Sequence, residues 1–400
     1  MLKKWTVPKI YMAILPALPI LSQYSLFGGV LDMDVVAMLA VLAGFLLYRN
    51  VLRVKNAVLV LTMLVFTVFV AFVNIAWGKL FATPIEIITR MGRYVIYLTM
   101  ALVLALDTVE YKTLMKACRV VAYVSFCYIV IQALAFYGAG IVLPCRIGAP
   151  IQTKAADIGR LSSLFSEPAD MCYSLMPFVT CSLFGPQYRE KDTRLRDAVC
   201  ITIAILLTTS SQGSVCVLVS WAAWIAFAIV RVKMNIRYII AILMAMVVVW
   251  VLYNSGVLEY SLGRLEGGEQ STAWQARSGG YDALRLLSPA QRIFGAGYGN
   301  YFSDNIYELD TYGQMVNFSS ISESLFTQGI IGTLLMVILL VIAFCQGKSH
   351  QRILVLVMLG LAIGGSPFTG KFLPLYFSLI MCNYSEKKSN KPVQQETKRI

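Results

Sequence analysis

The sequence predicts an all-α polytopic membrane protein of about twelve transmembrane helices with two long outward-facing loops, the larger one partly helical. Three observations predict it. Of 400 residues, 58% are hydrophobic and only 14% charged, and the mean hydropathy is +0.70, which no soluble surface matches. Apolar runs of about 20 residues, the length that crosses a bilayer as a helix, recur along the whole chain. The basic residues behind the net charge of +13 sit in short loops beside those runs. There they orient spans instead of forming a nucleic-acid face, so no nucleic-acid partner is expected.

Taken in order, residues 1–142 hold spans one to five. The segment MLKKWTVPK leads into the first apolar run without a small-residue cleavage site and reads as a start-transfer helix that is retained. Span one covers Ile10–Phe27, with Pro16 and Pro19 as kinks; span two is Val30–Tyr48, span three Ala57–Trp77 and span four Pro84–Leu106. A basic loop with Lys112, Lys116 and Arg119 precedes span five, Val120–Ile141. Residues 143–167 form the first long external loop.

Residues 168–253 carry span six (Pro168–Phe184), the charged loop QYREKDTRLRD, spans seven (Ala198–Thr209) and eight (Val215–Val230) hinged at SSQG, and span nine (Tyr238–Tyr253). The large external loop is 254–320. Spans ten (Ile321–Phe344), eleven (Ile353–Ile363) and twelve (Phe368–Cys382) fill 321–382, and 383–400 is a polar cytoplasmic tail. With loops on alternate sides, Lys and Arg concentrate on the side that holds both termini. That side is then cytoplasmic and both long loops face outward from the cytoplasmic membrane. No inverted internal repeat is visible, against a transporter of two matching halves. Most of the nine cysteines lie in apolar runs as small core residues; Cys145 and Cys172, near the outer side, admit a disulfide.

Three stretches carry groups suited to chemistry. In span four, Glu86, Arg90 and Arg93 share one helix face at i, i+4 and i+7. Glu86 can neutralise Arg90, but Arg93 has no acidic partner in its own helix and suits an anionic ligand at the membrane boundary. In KAADIGRLSSLFSEPADMCYSLMPF, Pro168 fits a first helical turn with Ser166 or Glu167 as cap. Glu167 and Asp170 have an ordinary role there, complementing the helix dipole. Arg160 answers to no such local need.

The third stretch is the large loop. STAWQARSGGYDALRLL places Trp274, Arg277, Tyr281 and Leu284 at helical spacing, as in a helix lying on the membrane surface. Arg277 and Arg285 would stand about 12 Å apart along it. FGAGYGN is a tight glycine turn without the βαβ context of a nucleotide site; it brings backbone close to backbone between the loop helix and Asn300. Ser319, Ser320, Ser322 and Glu323 lie at the mouth of span ten, where capping is their ordinary use.

Arginine's flat fork of donors grips phosphate oxygens bidentately. Arg160, Arg277, Arg285 and Arg93 at the outer boundary therefore suit a lipid diphosphate, with the tail between spans. In glycosyl transfer from such a donor, charge develops on the leaving diphosphate, and fixed arginines stabilise that state. A base must take the acceptor's proton. The one histidine, His350, falls on the cytoplasmic side, so Glu323 and Glu167 are the candidate bases, ahead of Asp170. No outer cluster has metal-ligand spacing, and neither metal nor other cofactor is expected.

Together RMGRYVIY, RLSSLFSEPADMCYSL, LLTTSSQGS and W-x-x-R…FGAGYGN…SESLFTQGIIG resemble, in order, the Wzy-type O-antigen and capsule polymerase family, which is related to the O-antigen ligases. Ser163 stands where that family commonly has Gly, and Gln212 where an Arg follows the serines. The resemblance covers about 160–335 best. It implies a C-type membrane glycosyltransferase that takes undecaprenyl-diphosphate-linked oligosaccharide on the outer face and moves the growing glycan to the next lipid-linked repeat. It also implies pathway partners, a flippase and a chain-length regulator. Arg160 and Arg277 match the arginines of the family's two outer catalytic loops. The ligases place a His near the start of the span after the large loop; here that region reads NFSSISES, which favours a polymerase. A ligase is the nearer alternative and a polysaccharide-lipid flippase the alternative of another class, although flippases usually have short loops throughout.

Overall fold

A computed structural model describes residues 14–26, 31–48, 57–77, 92–102, 110–145, 160–189, 191–231, 280–297, 318–365, 367–368 and 370–382, with isolated positions in 243–254. The described chain is mostly helical. Its helices are α1 (Leu18–Leu21), α2 (Met33–Tyr48), α3 (Ala57–Trp77), α4 (92–102), α5 (Tyr111–Ala139), α6 (Pro168–Phe184), α7 (Arg194–Leu207), α8 (Ser211–Arg231), α9 (Pro289–Phe294), α10 (Ser320–Gln346), α11 (Ser349–Gly364) and α12 (Leu373–Met381). Among the described residues, three stretches are long and apolar enough to cross a membrane: Tyr111–Ala139, Ser211–Ala228 and Ser320–Gln346.

The helices pack side by side around one core. Met176, Ile201, Ile205, Leu354, Met358 and Tyr376 are buried in it. Helix α6 lies nearest its centre: every residue from Met171 to Leu183 is buried, and α7, α8, α11 and α5 all pack against it. Pro177 within α6 is tolerated because neighbouring helices and side chains re-satisfy freed backbone groups.

Spans three and six coincide with α3 and α6. Other boundaries need correction. Span one does not run as helix to Phe27, because Ser25–Leu26 (β1) pairs antiparallel with Leu31–Asp32 (β2), in register Ser25↔Asp32 and Leu26↔Leu31. The basic stretch with Lys112, Lys116 and Arg119 is not a loop; it forms the first turns of α5. Span twelve does not start at Phe368. The Leu373 amide donates to the Gly370 carbonyl at 3.1 Å, and Pro374 sets the first turn of α12, which begins only at Leu373. That helix rises only about 13 Å. Cys145 and Cys172 are both free thiols, so they form no disulfide; the Cys172 sulfur lies 3.5 Å from the Thr208 hydroxyl instead.

Span ten is interrupted. Gly329 inside α10 has φ 64° and ψ −169°, which no helix contains. The stretch after it, 330–346, still rises about 25 Å.

Cross-element contacts near the helix ends sort into two sets. One joins Tyr111 to His350, with ring centroids 6.2 Å apart, Arg119 to Asp197, and Gln351 to the Ile380 carbonyl at 2.5 Å. The other joins Gln23 to the Leu164 carbonyl at 2.5 Å, Tyr173 to Gln212 at 2.9 Å, and Ser320 to the Gly365 carbonyl at 2.7 Å. These sets are the two ends of the bundle, here the clasp end and the site end. Each linked pair falls on the same side when loops alternate along the chain.

Candidate functional site

At the site end, three stretches far apart in sequence are tied together. The first leads into α6. Ser163 has a left-handed backbone, φ 54°, which costs a non-glycine residue about 1–2 kcal/mol. Its polar groups offset that cost: the amide donates to Gln132 Oε1 at 2.8 Å, and the hydroxyl donates to the Ser125 carbonyl at 2.8 Å. The turn it makes carries Arg160 on one side and Glu167 on the other.

Glu167 is the N-cap residue of α6, but its side chain makes no capping bond, and neither does that of Ser166. Ser166 instead donates to Asp170 Oδ2. Lys371 donates to the same oxygen at 2.7 Å and reaches the Ser166 hydroxyl at 3.5 Å. Part of Glu167 meets solvent, yet crowding desolvates it enough to raise its pKa above the ordinary carboxylate value. Asp170 pushes it the same way, while Arg160 and Lys371 oppose the rise. The mouth thus holds two carboxyls and two cations, and one carboxyl binds its proton more tightly than usual.

The second stretch is the described part of the large loop. After helical residues 280–282 comes the 3₁₀ turn Ala283–Leu286. Helix α9 then begins at a capping box, Ser288 with Gln291, and Pro289 at the first helical position. Gly295 and Gly297 follow at φ 95° and 87°, values that only glycine adopts without strain.

The third stretch is the start of α10, capped by Ser319 and Ser322. It docks on the glycine turn through two backbone bonds, the Ala296 amide donating to the Phe326 carbonyl at 2.8 Å and the Gly297 amide to the Thr327 carbonyl at 3.0 Å, beside a small apolar cluster of Ala283, Leu287, Ala296 and Phe326. In an unbroken helix those carbonyls would accept from residues four positions on; the break at Gly329 releases them, and the loop takes them up. Neither glycine tolerates a side chain, since a Cβ on Gly295 would overlap the Thr327 carbonyl and one on Gly329 the Ile293 carbonyl. The described part of FGAGYGN thus lies backbone to backbone against the broken turn of α10, while its expected approach to Asn300 lies outside the described residues. Gln328 fixes the same turn to α4, donating to the Tyr94 hydroxyl at 2.8 Å.

Gly365, Phe368 and Lys371 link the third stretch to the first. Ser320 donates its amide to the Gly365 carbonyl and accepts through its hydroxyl from the Phe368 amide at 3.3 Å. Lys371, three residues further, is the cation on Asp170.

The predicted site residues therefore fall into four groups. Arg160, Glu167 and Glu323 lie at the site end; Glu323 is buried in the first turn of α10. Arg285 and Tyr281 lie on the loop surface, with the Arg285 side chain 84% exposed and 3.5 Å from Asp282. Arg93 is not left for a ligand. Its guanidinium pairs with Asp32 and, at 3.1 Å, with Asp34, and donates to the Tyr97 hydroxyl at 2.6 Å. This clasps β2 and α2 to α4, and removes the reason for assigning Arg93 to substrate. Arg277, Trp274, Asn300, Glu86 and Arg90 lie outside the described residues. Gln212, where the resemblance leads one to expect Arg, accepts from Tyr173 and donates to the Leu361 carbonyl, so it holds α6, α8 and α11 together. Lys371 was missed because one lysine barely marks an apolar run; Ser288-Pro-Ala-Gln291 is a capping-box signature that could have found α9.

Beside the broken turn lies a groove of about 320 Å³ lined by Leu284, Arg285, Leu287, Arg292, Leu325 and Ile330. It combines apolar walls with two guanidinium groups, the chemistry of an amphiphile carrying an anionic head. No protein-family model matches the sequence, and no curated protein does.

Proposed function

We propose that the chain is a polytopic glycosyltransferase of the cytoplasmic membrane, a polymerase that moves a growing glycan from undecaprenyl diphosphate to the next lipid-linked oligosaccharide repeat. One observation carries the reading: the 160–171, 280–297 and 318–329 stretches, the same ones that resemble the polymerase family, meet at one end of the bundle around a broken helix. Ser163 supports it further, because a left-handed position gives a physical reason for the glycine common there. Lys112, Lys116, Arg119, Lys191, Arg196 and Arg352 mark the clasp end, which supports reading it as the cytoplasmic face, with the site end then outward.

In the reaction, the acceptor hydroxyl oxygen attacks the anomeric carbon of the donor sugar. The bond from that carbon to the diphosphate oxygen breaks, and the lipid diphosphate leaves with the electron pair. Arg160, with Arg277 from the large loop, balances the charge gathering on the diphosphate. Glu167 takes the acceptor's proton, a task suited to a carboxylate of raised pKa; Glu323 is the second carboxylate within the assembled end. A lipid-linked saccharide flippase is the second reading, favoured by the discontinuous α10, since broken helices line many transport sites.

The test is a glycan gel from a deletion strain carrying wild-type, Arg160→Ala or Arg277→Ala protein. Polymerase activity predicts single-repeat product with either variant while membrane insertion is normal. Full-length polymer from both variants would sink the mechanism. Polymer stranded on its lipid would indicate a ligase, and repeat accumulating on the cytoplasmic face a flippase.

A further inference from the structure

The groove beside the break is not closed toward the bundle surface. Below it, Ile330, Leu334, Val337 and Val341 follow one another down α10 at i, i+4, i+7 and i+11, exposed by 51, 55, 48 and 54%. On a helix apolar enough to cross a membrane, such a strip faces acyl chains. Ile330 belongs to both strip and groove, so the two surfaces are continuous.

At the groove's other end stand the two arginines. Arg292 donates through Nε to the Leu287 carbonyl at 3.1 Å and through Nη2 to the Arg285 carbonyl at 3.3 Å. These bonds fix the guanidinium without neutralising it. Arg285 is exposed and meets Asp282 only at 3.5 Å, leaving the pair of arginines with surplus positive charge. Around them Tyr281, Leu286, Ile293 and Phe294 are large, apolar and 39–49% exposed, the composition of a segment lying in the headgroup layer. Among the described residues the lining holds no carboxylate.

We propose that this groove is a binding site for one anionic phospholipid of the surrounding bilayer, distinct from the donor lipid. Its phosphate sits on Arg285 and Arg292, and one acyl chain passes Leu284, Leu287 and Leu325 and continues down the Ile330–Val341 strip. The bound lipid bridges the loop segment and the lower half of the broken helix, and so fastens the loop to the break. The site does not depend on the glycan reaction.

The test places the full-length protein in nanodiscs of phosphatidylcholine containing a minor fraction of phosphatidylglycerol and counts lipids retained on release by native mass spectrometry. One phosphatidylglycerol per chain is expected, with phosphatidylcholine not substituting for it. Arg285→Gln, at an exposed side chain that folding does not need, should weaken retention about tenfold. Ile330→Trp, which narrows the groove and keeps both charges, should do the same. Equal retention of the two phospholipids, or unchanged retention in both variants, would overturn the proposal. So would displacement of phosphatidylglycerol by stoichiometric undecaprenyl diphosphate, which would make the groove part of the donor site.

Discussion

The two ends of the bundle handle polar groups in opposite ways. At the clasp end, Asp197 is fully buried and accepts from Arg119 at 2.9 Å, Tyr123 at 2.6 Å, Tyr188 at 2.6 Å and Thr193 at 3.0 Å. Four donors converge on this one carboxylate of α7: Arg119 and Tyr123 from α5, and Tyr188 and Thr193 from the chain before α7. At the site end, Ser163 and Thr209 are left-handed, α10 is broken at Gly329, and one carboxyl has a raised pKa. A satisfied network rigidifies; strained backbone persists only where its surroundings hold it, and it concentrates where function needs it. The difference separates holding the helices together from holding a reactive arrangement.

Variants at the two ends should separate these roles. Gly329→Ala has the largest expected effect. It forces a side chain into a backbone region reserved for glycine and against Ile293, for a loss of about 3 kcal/mol or more. It should also free the loop from α10. Thermal unfolding in detergent together with protease sensitivity of 280–297 checks both, and an unchanged melting point with an intact loop would mean the break is not needed. Asp197→Ala should cost about 2–3 kcal/mol, because Arg119 and three hydroxyls lose a common acceptor. On the proposed polymerase reading, the surviving folded protein should make polymer at the wild-type rate per molecule; loss of activity in folded protein would show that the clasp end is not merely structural.

At Ser163 two variants pull apart strain and bonding. Ser163→Ala keeps the left-handed backbone and loses the bond to Ser125, so it should destabilise by about 1 kcal/mol. Ser163→Gly loses the same bond but relieves the strain, and should stay near wild type. Equal losses in both would remove the argument from backbone conformation. The smallest effect concerns pH. Lys371 favours the charged form of Glu167, so Lys371→Met raises the Glu167 pKa further. With Glu167 as the proposed base, the acidic limb of the activity profile should move to higher pH. Glu167→Gln should abolish that limb, and a limb that stays put in both variants would assign the base elsewhere.

The parts of this architecture legible in the sequence are those set by local composition. The limits of α3 and α6 follow from apolar runs bounded by polar residues or proline, and the caps of α10 follow from its serines. What stayed hidden depends on residues remote in sequence. Arg93 looked unpartnered because its acids, Asp32 and Asp34, lie about sixty residues away, beyond any i, i+4 pattern. Gly329 is one more glycine in QGIIG until Gly295 is known to lie against it. Asp170 looked like a dipole-complementing acid, yet its partner is Lys371, some two hundred residues on.

The broken turn of α10 also sets a rule for exchanging parts between proteins of this architecture. Phe326 and Thr327 offer carbonyls that the 296–297 backbone satisfies, and a bare carbonyl in an apolar layer costs several kcal/mol. The large loop therefore cannot be grafted as a cassette ending at the membrane surface. A chimera that swaps specificity would have to carry the loop, Gly329 and the first turns of α10 as one inheritable unit.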